Sequence, residues 1–235
     1  MLDPKEEAKF ARLRSLCQEL KMPCPPEIHI GLQVHDQKNI LTYEDIQRGH
    51  SWTRNFYNFC LGFPIDVIGS GDTTFGASKR SGKSTNGSIV GSANSTVSRG
   101  SNTLYGNGLH ENSASGSFGI KVGTGSTAFS VENFALATVI APGNAASQLA
   151  HQPMVYPIVS YADKVWTNVI SRIFNNNSGG EITVREIALY SSVHIFGGSG
   201  TFMMERSVLE TPVLIANGAQ LTVSYTLTMD FSAID

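Results

Sequence analysis

From residue 221 to residue 231, apolar and polar side chains alternate without a break. Leu221, Val223, Tyr225, Leu227, Met229 and Phe231 fall on one side; Thr222, Ser224, Thr226, Thr228 and Asp230 fall on the other. A period of two is the signature of a strand with one face buried and the other wet or turned to a subunit. The apolar face needs a second layer to cover it, so this segment alone demands a packed β architecture. The same pattern recurs where Ile28, Ile30, Leu32 and Val34 alternate with His29, Gly31, Gln33 and His35. Segments 118–122, 134–141, 164–174, 182–190 and 202–209 read as further strands between Gly, Asn, Ser and Pro punctuation. The run Asn175-Asn176-Asn177-Ser178-Gly179-Gly180 and the pair Asn217-Gly218 predict hairpin connections. The expected fold is mostly β: an antiparallel β-sandwich or jelly-roll-like domain, with Trp166, Ile170, Ile187, Leu189, Leu227 and Met229 in its core.

Two helices are expected before that domain. Asp3 can cap, Pro4 sits at the first helical position and Glu6 completes a capping box. Phe10, Leu13, Cys17 and Leu20 then form one apolar stripe, and Met22-Pro23 with Pro25-Pro26 ends the helix. Such a helix either folds onto its own domain or docks on a neighbouring subunit. Ser51 can cap a second, short helix, whose Trp52, Phe56, Phe59 and Phe63 follow helical spacing and are expected in the core.

Between these parts lies a segment, 69–119, dominated by Gly, Ser, Asn and Thr with spaced apolar anchors at Phe75, Ile89, Val90, Val97, Leu104 and Tyr105. It cannot bury enough surface to make a core alone. The expectation is an insertion or extended arm whose anchors meet neighbouring chains. The organisation is therefore a docking helix at 1–22, a first strand and short helix at 23–68, the insertion at 69–119 and an antiparallel β domain at 120–235. Expected subunit contacts are Phe10, Leu13, Leu20, Phe75, Ile89, Val97 and Tyr105.

Composition narrows the chemistry. Charged residues are 15% of the chain against roughly 25% in ordinary globular proteins, and the polar surface is supplied by Ser, Thr, Asn and 23 Gly. A surface so poor in charge suits burial against neighbours. The net charge of −2 and pI near 6.3 provide no field for gathering nucleic acid. The first residues lack the apolar core of a signal peptide, and no stretch approaches the ~20 apolar residues of a membrane helix. Cys17, Cys24 and Cys60 make no disulfide framework and lack metal-ligand spacing, so neutral thiols are expected.

Tempting motifs fail on geometry. Gly82-Lys83-Ser84 resembles the end of a phosphate loop, but the required first glycine would be residue 77, which is Ala, and no helix pattern follows. His29 and His35 on one strand lie roughly 20 Å apart at about 3.3 Å per residue, too far to share an ion. Glu181 with Glu186, and Glu205 with Glu210, are odd intervals apart and point to opposite faces of a strand. His110, Glu111, His151 and nearby serines could supply a base and nucleophile, but no Gly-x-Ser-x-Gly elbow frames a serine. No catalytic, cofactor-binding or metal-binding residues are assigned, and no cofactor is expected.

Several pieces resemble virion proteins of tailed bacteriophages: HSWTRNFYN at 50–58, GIKVGTG at 119–125, NNSGGEITVREIALY at 176–190, RSVLETPV at 206–213 and NGAQLTV at 217–223. The piece ITVREIALY is also similar to β modules of phage tail fibres and baseplates. The resemblance runs from about residue 28 onward, apart from the insertion. It implies a non-enzymatic structural component of the tail, baseplate or connector, made in the host cytoplasm and residing in the virion. It implies partners among copies of itself, other virion proteins and the host surface, with neither specific nucleic acid nor membrane insertion. The competing expectations are a receptor- or glycan-binding tail module and a capsid decoration protein.

Overall fold

The computed structural model describes residues 4–22, 24–49, 52–57, 82–90, 109–195 and 198–232. In chain order the elements are α1 (Pro4–Glu19), β1 (Glu27–His35), β2 (Leu41–Arg48), α2 (Arg54–Phe56), β3 (Gly82–Lys83), β4 (Ile89–Val90), β5 (Gly119–Gly123), β6 (Ala150–His151), β7 (Val155–Ala162), β8 (Val165–Asn175), β9 (Ile182–Ile195), β10 (Gly198–Ile215) and β11 (Gln220–Asp230).

Among the described residues there are two large antiparallel sheets. The wider has six strands, running β2-β1-β11-β8 with β6 and β7 both on the far side of β8; the narrower runs β10-β9-β5. The alternations read from sequence are realised: β1 and the first part of β11 bury every second residue. One apolar core joins Ile30, Leu32, Val223 and Tyr225 of the wide sheet to Val122, Ile187, Leu189 and Phe202 of the narrow one. The fold is thus the mostly β, sandwich-like class expected. Ile170, Ile187, Leu189 and Leu227 are buried, Trp166 packs partly buried against this core, and Met229 is half-buried near the end of its strand.

Four local expectations are corrected. Both Asn/Gly connections are crossovers and not hairpins, because β8 and β9 lie in different sheets, as do β10 and β11. Turn chemistry reverses the chain but does not decide whether the next strand pairs or stacks. Buried Asn176 ties the two crossings together: its amide donates to Gly180 O at 2.8 Å and Ile215 O at 2.7 Å, and Gly218 N donates to its backbone carbonyl. Segment 134–141 forms no strand; the backbone donors of Leu136, Ala137 and Thr138 go to the Tyr190 hydroxyl and the Glu186 carboxylate instead of a neighbouring ladder. Two strands were hidden in sequence, β2 by its Glu44-Asp45 pair and β7 by Pro157. The helix expected from Ser51 begins at Arg54, with Thr53 bonded through its hydroxyl to Met203 O at 2.6 Å. Trp52 is buried and stacked on Phe56 at 3.7 Å, as a core role requires, while Ser51, Phe59 and Phe63 lie outside the described residues.

The described parts of the insertion are bonded to their own chain. β3 and β4 form a small hairpin, and the Asn55 side chain clamps its first strand, accepting from Lys83 N and donating to Lys83 O. Gly82-Lys83-Ser84 therefore enters a turn, not a helix, and the Lys83 ammonium sits over the Phe134 ring at 4.0 Å.

Candidate functional site

Glu111, His151 and the serines of 113–117 come together beside Arg172 of β8. Arg172, fully buried, projects beside the segment 111–120 and spends its guanidinium on five acceptors: Glu111 Oε2 at 2.8 Å and the carbonyls of Ser113, Phe118, Ile120 and Gln152. The other Glu111 oxygen accepts from Ser113 Oγ, Ser115 Oγ and Ser117 N. Burial alone would raise the Glu111 pKa, but the Ser115 and Ser117 bonds and the Arg172 charge more than reverse this and hold it below the ordinary 4.5. Both Glu111 oxygens therefore accept hydrogen bonds from the chain's own groups. The arrangement folds a Ser/Gly-rich loop around an ion pair.

His151 lies beside this knot, packed edge-on against Phe174 at 4.9 Å between ring centroids. It is buried, and neither ring nitrogen has a hydrogen-bond partner. Burial, with the Arg172 and Lys121 charges, pushes its pKa down to about 4. A β-carbon at Gly116 would come within 2.6 Å of His151 Nδ1, which explains why only glycine, at φ +66°, fits there. His151 is thus brought next to Glu111 and the serines but bonded to none of them. His110 is elsewhere, stacked on Tyr156 at 4.8 Å with Nε2 3.0 Å from Met154 O.

The narrow sheet carries two buried carboxylates on opposite faces. A bulge at Met204 shifts the register, so Met203 lies opposite Tyr190 but Glu205 lies opposite Leu189. Glu205 therefore enters the sandwich interior, where it accepts from Tyr225 Oη at 2.7 Å across the sheets and from Ser207 Oγ at 2.5 Å. Burial first, and the Glu205 charge second, raise the Tyr225 pKa well above its ordinary value. Glu186 faces outward under 124–138. One of its oxygens takes Gly125 N and Thr138 N; the other takes Ala137 N and Arg206 Nε at 2.8 Å. These carboxylates fasten a covering loop and the two layers. Glu181 and Glu210 are exposed; Glu210 lies on the opposite face from Glu205 as its spacing predicts, whereas the core parity of β9 switches between Val184 and Ile187 and leaves Glu181 and Glu186 both off the core face.

The surfaces that remain available to other molecules include apolar side chains of α1 and β7 and one polar groove. α1 lies on its own sheet through polar contacts, with Glu7 on Arg48 at 2.5 Å, Arg14 on Glu27 at 2.8 Å and Phe10 under the Arg48 guanidinium at 3.8 Å. The stripe read from sequence splits accordingly: Phe10 and Cys17 face inward, whereas Leu13, Leu16 and Leu20 are exposed. Cys17 and Cys24 are both buried free thiols, and burial with the adjacent Cys17 pushes Cys24 up to about 11. Ile89 is exposed on β4, while Phe75, Val97 and Tyr105 lie outside the described residues. The largest exposed apolar run is β7, which sequence reading missed. A groove of about 440 Å³ lies on the outer face of the wide sheet, lined by Gly31, Gln33, Glu44, Asp45, Thr222 and Ser224 among others. Among the described residues no group of three or more His, Cys, Asp or Glu is placed to hold a metal ion, and no helix is long and apolar enough to cross a membrane. No family model, no curated protein and no solved structure matches the chain.

Proposed function

We propose that this chain is a non-enzymatic structural component of a tailed-bacteriophage virion, placed in the tail, baseplate or connector and partnered by its own copies and by other virion proteins. The observation that carries this reading is the division of surface and interior. Its buried carboxylates and arginines are spent on holding loops and sheets together, while β7 and α1 present exposed apolar side chains. Surfaces of that kind belong on subunits that are covered in an assembly. The sequence pieces that resemble virion proteins supply the kind of assembly. Mass spectrometry of purified particles tests it: the chain should be present at stoichiometric level, and its absence from intact virions would overturn the proposal.

One observation favours a second reading. The groove beside β1, β2 and β11 is lined by the Glu44 carboxylate, the Gln33 amide and the hydroxyls of Thr222 and Ser224, a lining suited to the hydroxyl groups of a glycan. Retention of the chain on host-envelope glycans, lost on Glu44→Ala, would support a receptor-binding module in place of a purely structural one.

A further inference from the structure

We infer that β7 is a self-pairing edge, through which two copies of this chain join their wide sheets about a twofold axis at Ser160. The inference rests on the reading of the chain as an assembling subunit and names the surface that reading leaves open.

β7 hangs beyond the sandwich because six strands face three. It pairs with β8 on one side, and among the described residues no strand pairs with its outer edge. A two-residue turn at Asp163 and Lys164, both at positive φ, closes the β7–β8 hairpin tightly. Val155, Tyr156, Ile158, Val159 and Tyr161 remain 48%, 78%, 66%, 58% and 65% exposed. A strand edge of this length and apolarity is normally covered or blunted by charge, and 155–162 contains no charged residue.

A second copy satisfies the strand on three counts. Pairing lays the second strand alongside Ile158, Val159 and Tyr161 and covers part of their exposed apolar surface. The absence of charge means that self-association brings no like charges together. The sequence is also self-complementary. Pro157 lacks an N–H and sits in the irregularity between Val155 and Ile158, which leaves Ile158–Ala162 as the pairable run. Antiparallel pairing of that run centred on Ser160 sets Val159 opposite Tyr161 on one face and Ile158 opposite Ala162 on the other. The first is an aromatic/β-branched cross-strand pair, made twice.

The centre of such a pair places two Ser160 Cα atoms about 4.5–5.5 Å apart, within disulfide range. The test uses the full chain with Ser160→Cys under mild oxidation, with Lys38→Cys on the exposed β1–β2 turn as a control, and sedimentation of the unsubstituted chain and Val159→Asp. The expected result is a disulfide dimer at Ser160→Cys but not at Lys38→Cys, and association weakened about 100-fold or more by Val159→Asp, since like charges meeting across an interface cost several kcal/mol. A chain that stays monomeric at tens of micromolar overturns the inference. So does an oligomer that ignores Val159→Asp and does not crosslink at 160; the assembling reading then stands with a different surface. A chain that crosslinks at 160 yet is absent from particles overturns the virion reading alone.

Discussion

Replacing Arg172 with Met removes one half of a fully buried ion pair and all five of its hydrogen bonds, four to the 111–120 segment and one to Gln152 O. Met roughly fills the space, so the cost comes from what is left behind: the buried Glu111 carboxylate keeps only its serine-loop donors, and four carbonyls lose a partner. Breaking a buried pair from one side costs about 3–5 kcal/mol, a large share of the 5–15 kcal/mol that holds a typical domain together. With a urea m-value of about 2 kcal/mol/M, the unfolding midpoint should fall by about 1.5–2.5 M at pH 7. Glu111→Gln should cost less, and the double variant should be more stable than the sum of the two losses by at least ~1.5 kcal/mol, because the unpaired charge is gone. The pH dependence gives a second readout. The Glu111 pKa is depressed in the fold, so its stabilisation is complete above 4.5 and is lost as pH falls through the lower folded value. Without Arg172 that loss should begin at higher pH. Single losses that add within about 0.5 kcal/mol, or an Arg172→Met cost below 1 kcal/mol, would refute the claim that the pair works as one unit.

His151 should make the protein acid-sensitive in a separate window: its folded pKa is about 4 against an ordinary 6.5, so the unfolded chain takes the proton first and stability falls from pH 6.5 down to pH 4, by about 3 kcal/mol in all. His151→Leu should flatten denaturation midpoints across that window while leaving the Glu111-dependent loss below it. Asn176→Ala strands the carbonyls of Gly180 and Ile215 and frees both crossovers, and should cost about 2–4 kcal/mol in thermal or urea unfolding. An Asn176→Ala loss under 1 kcal/mol would mean that the crossings hold without it.

The β class was legible because the decisive signal is periodic and local. Ile28 to Val34 and Leu221 to Leu227 declare their buried faces residue by residue. Which strands meet is a non-local matter. The Asn175–Gly180 run gave the reversal but not the change of sheet, since that depends on Asn176 reaching Ile215, far along the chain. The same limit hid the polar knots. Glu111, His151 and the serines could be named as chemically capable, and Glu186 and Glu205 as carboxylates in strands, with Glu205 on the opposite face from Glu210. Arg172 and Arg206, which decide what those carboxylates do, carried no local mark beyond being charges in apolar strands. β7 was missed because Pro157 and exposure on both faces erase the alternation that marks a half-buried strand.

The pairing of β1 with β11, from Glu27 opposite Thr228 to His35 opposite Gln220, bears on how the chain acquires its shape during synthesis. β1 leaves the ribosome among the first strands, and β11 is the last of the described strands to follow. The middle of the wide sheet therefore stays open on one side while the residues between β1 and β11 are made, with Ile28, Ile30, Leu32 and Val34 uncovered. Contacts so distant in sequence are slow to form and leave nascent chains open to wrong partners. The β9–β10 hairpin and β5, which meet within a shorter stretch, can form earlier as a platform. Closure by β11 is then the step that commits the wide sheet, and ribosome stalling before residue 220 should yield a protease-sensitive species.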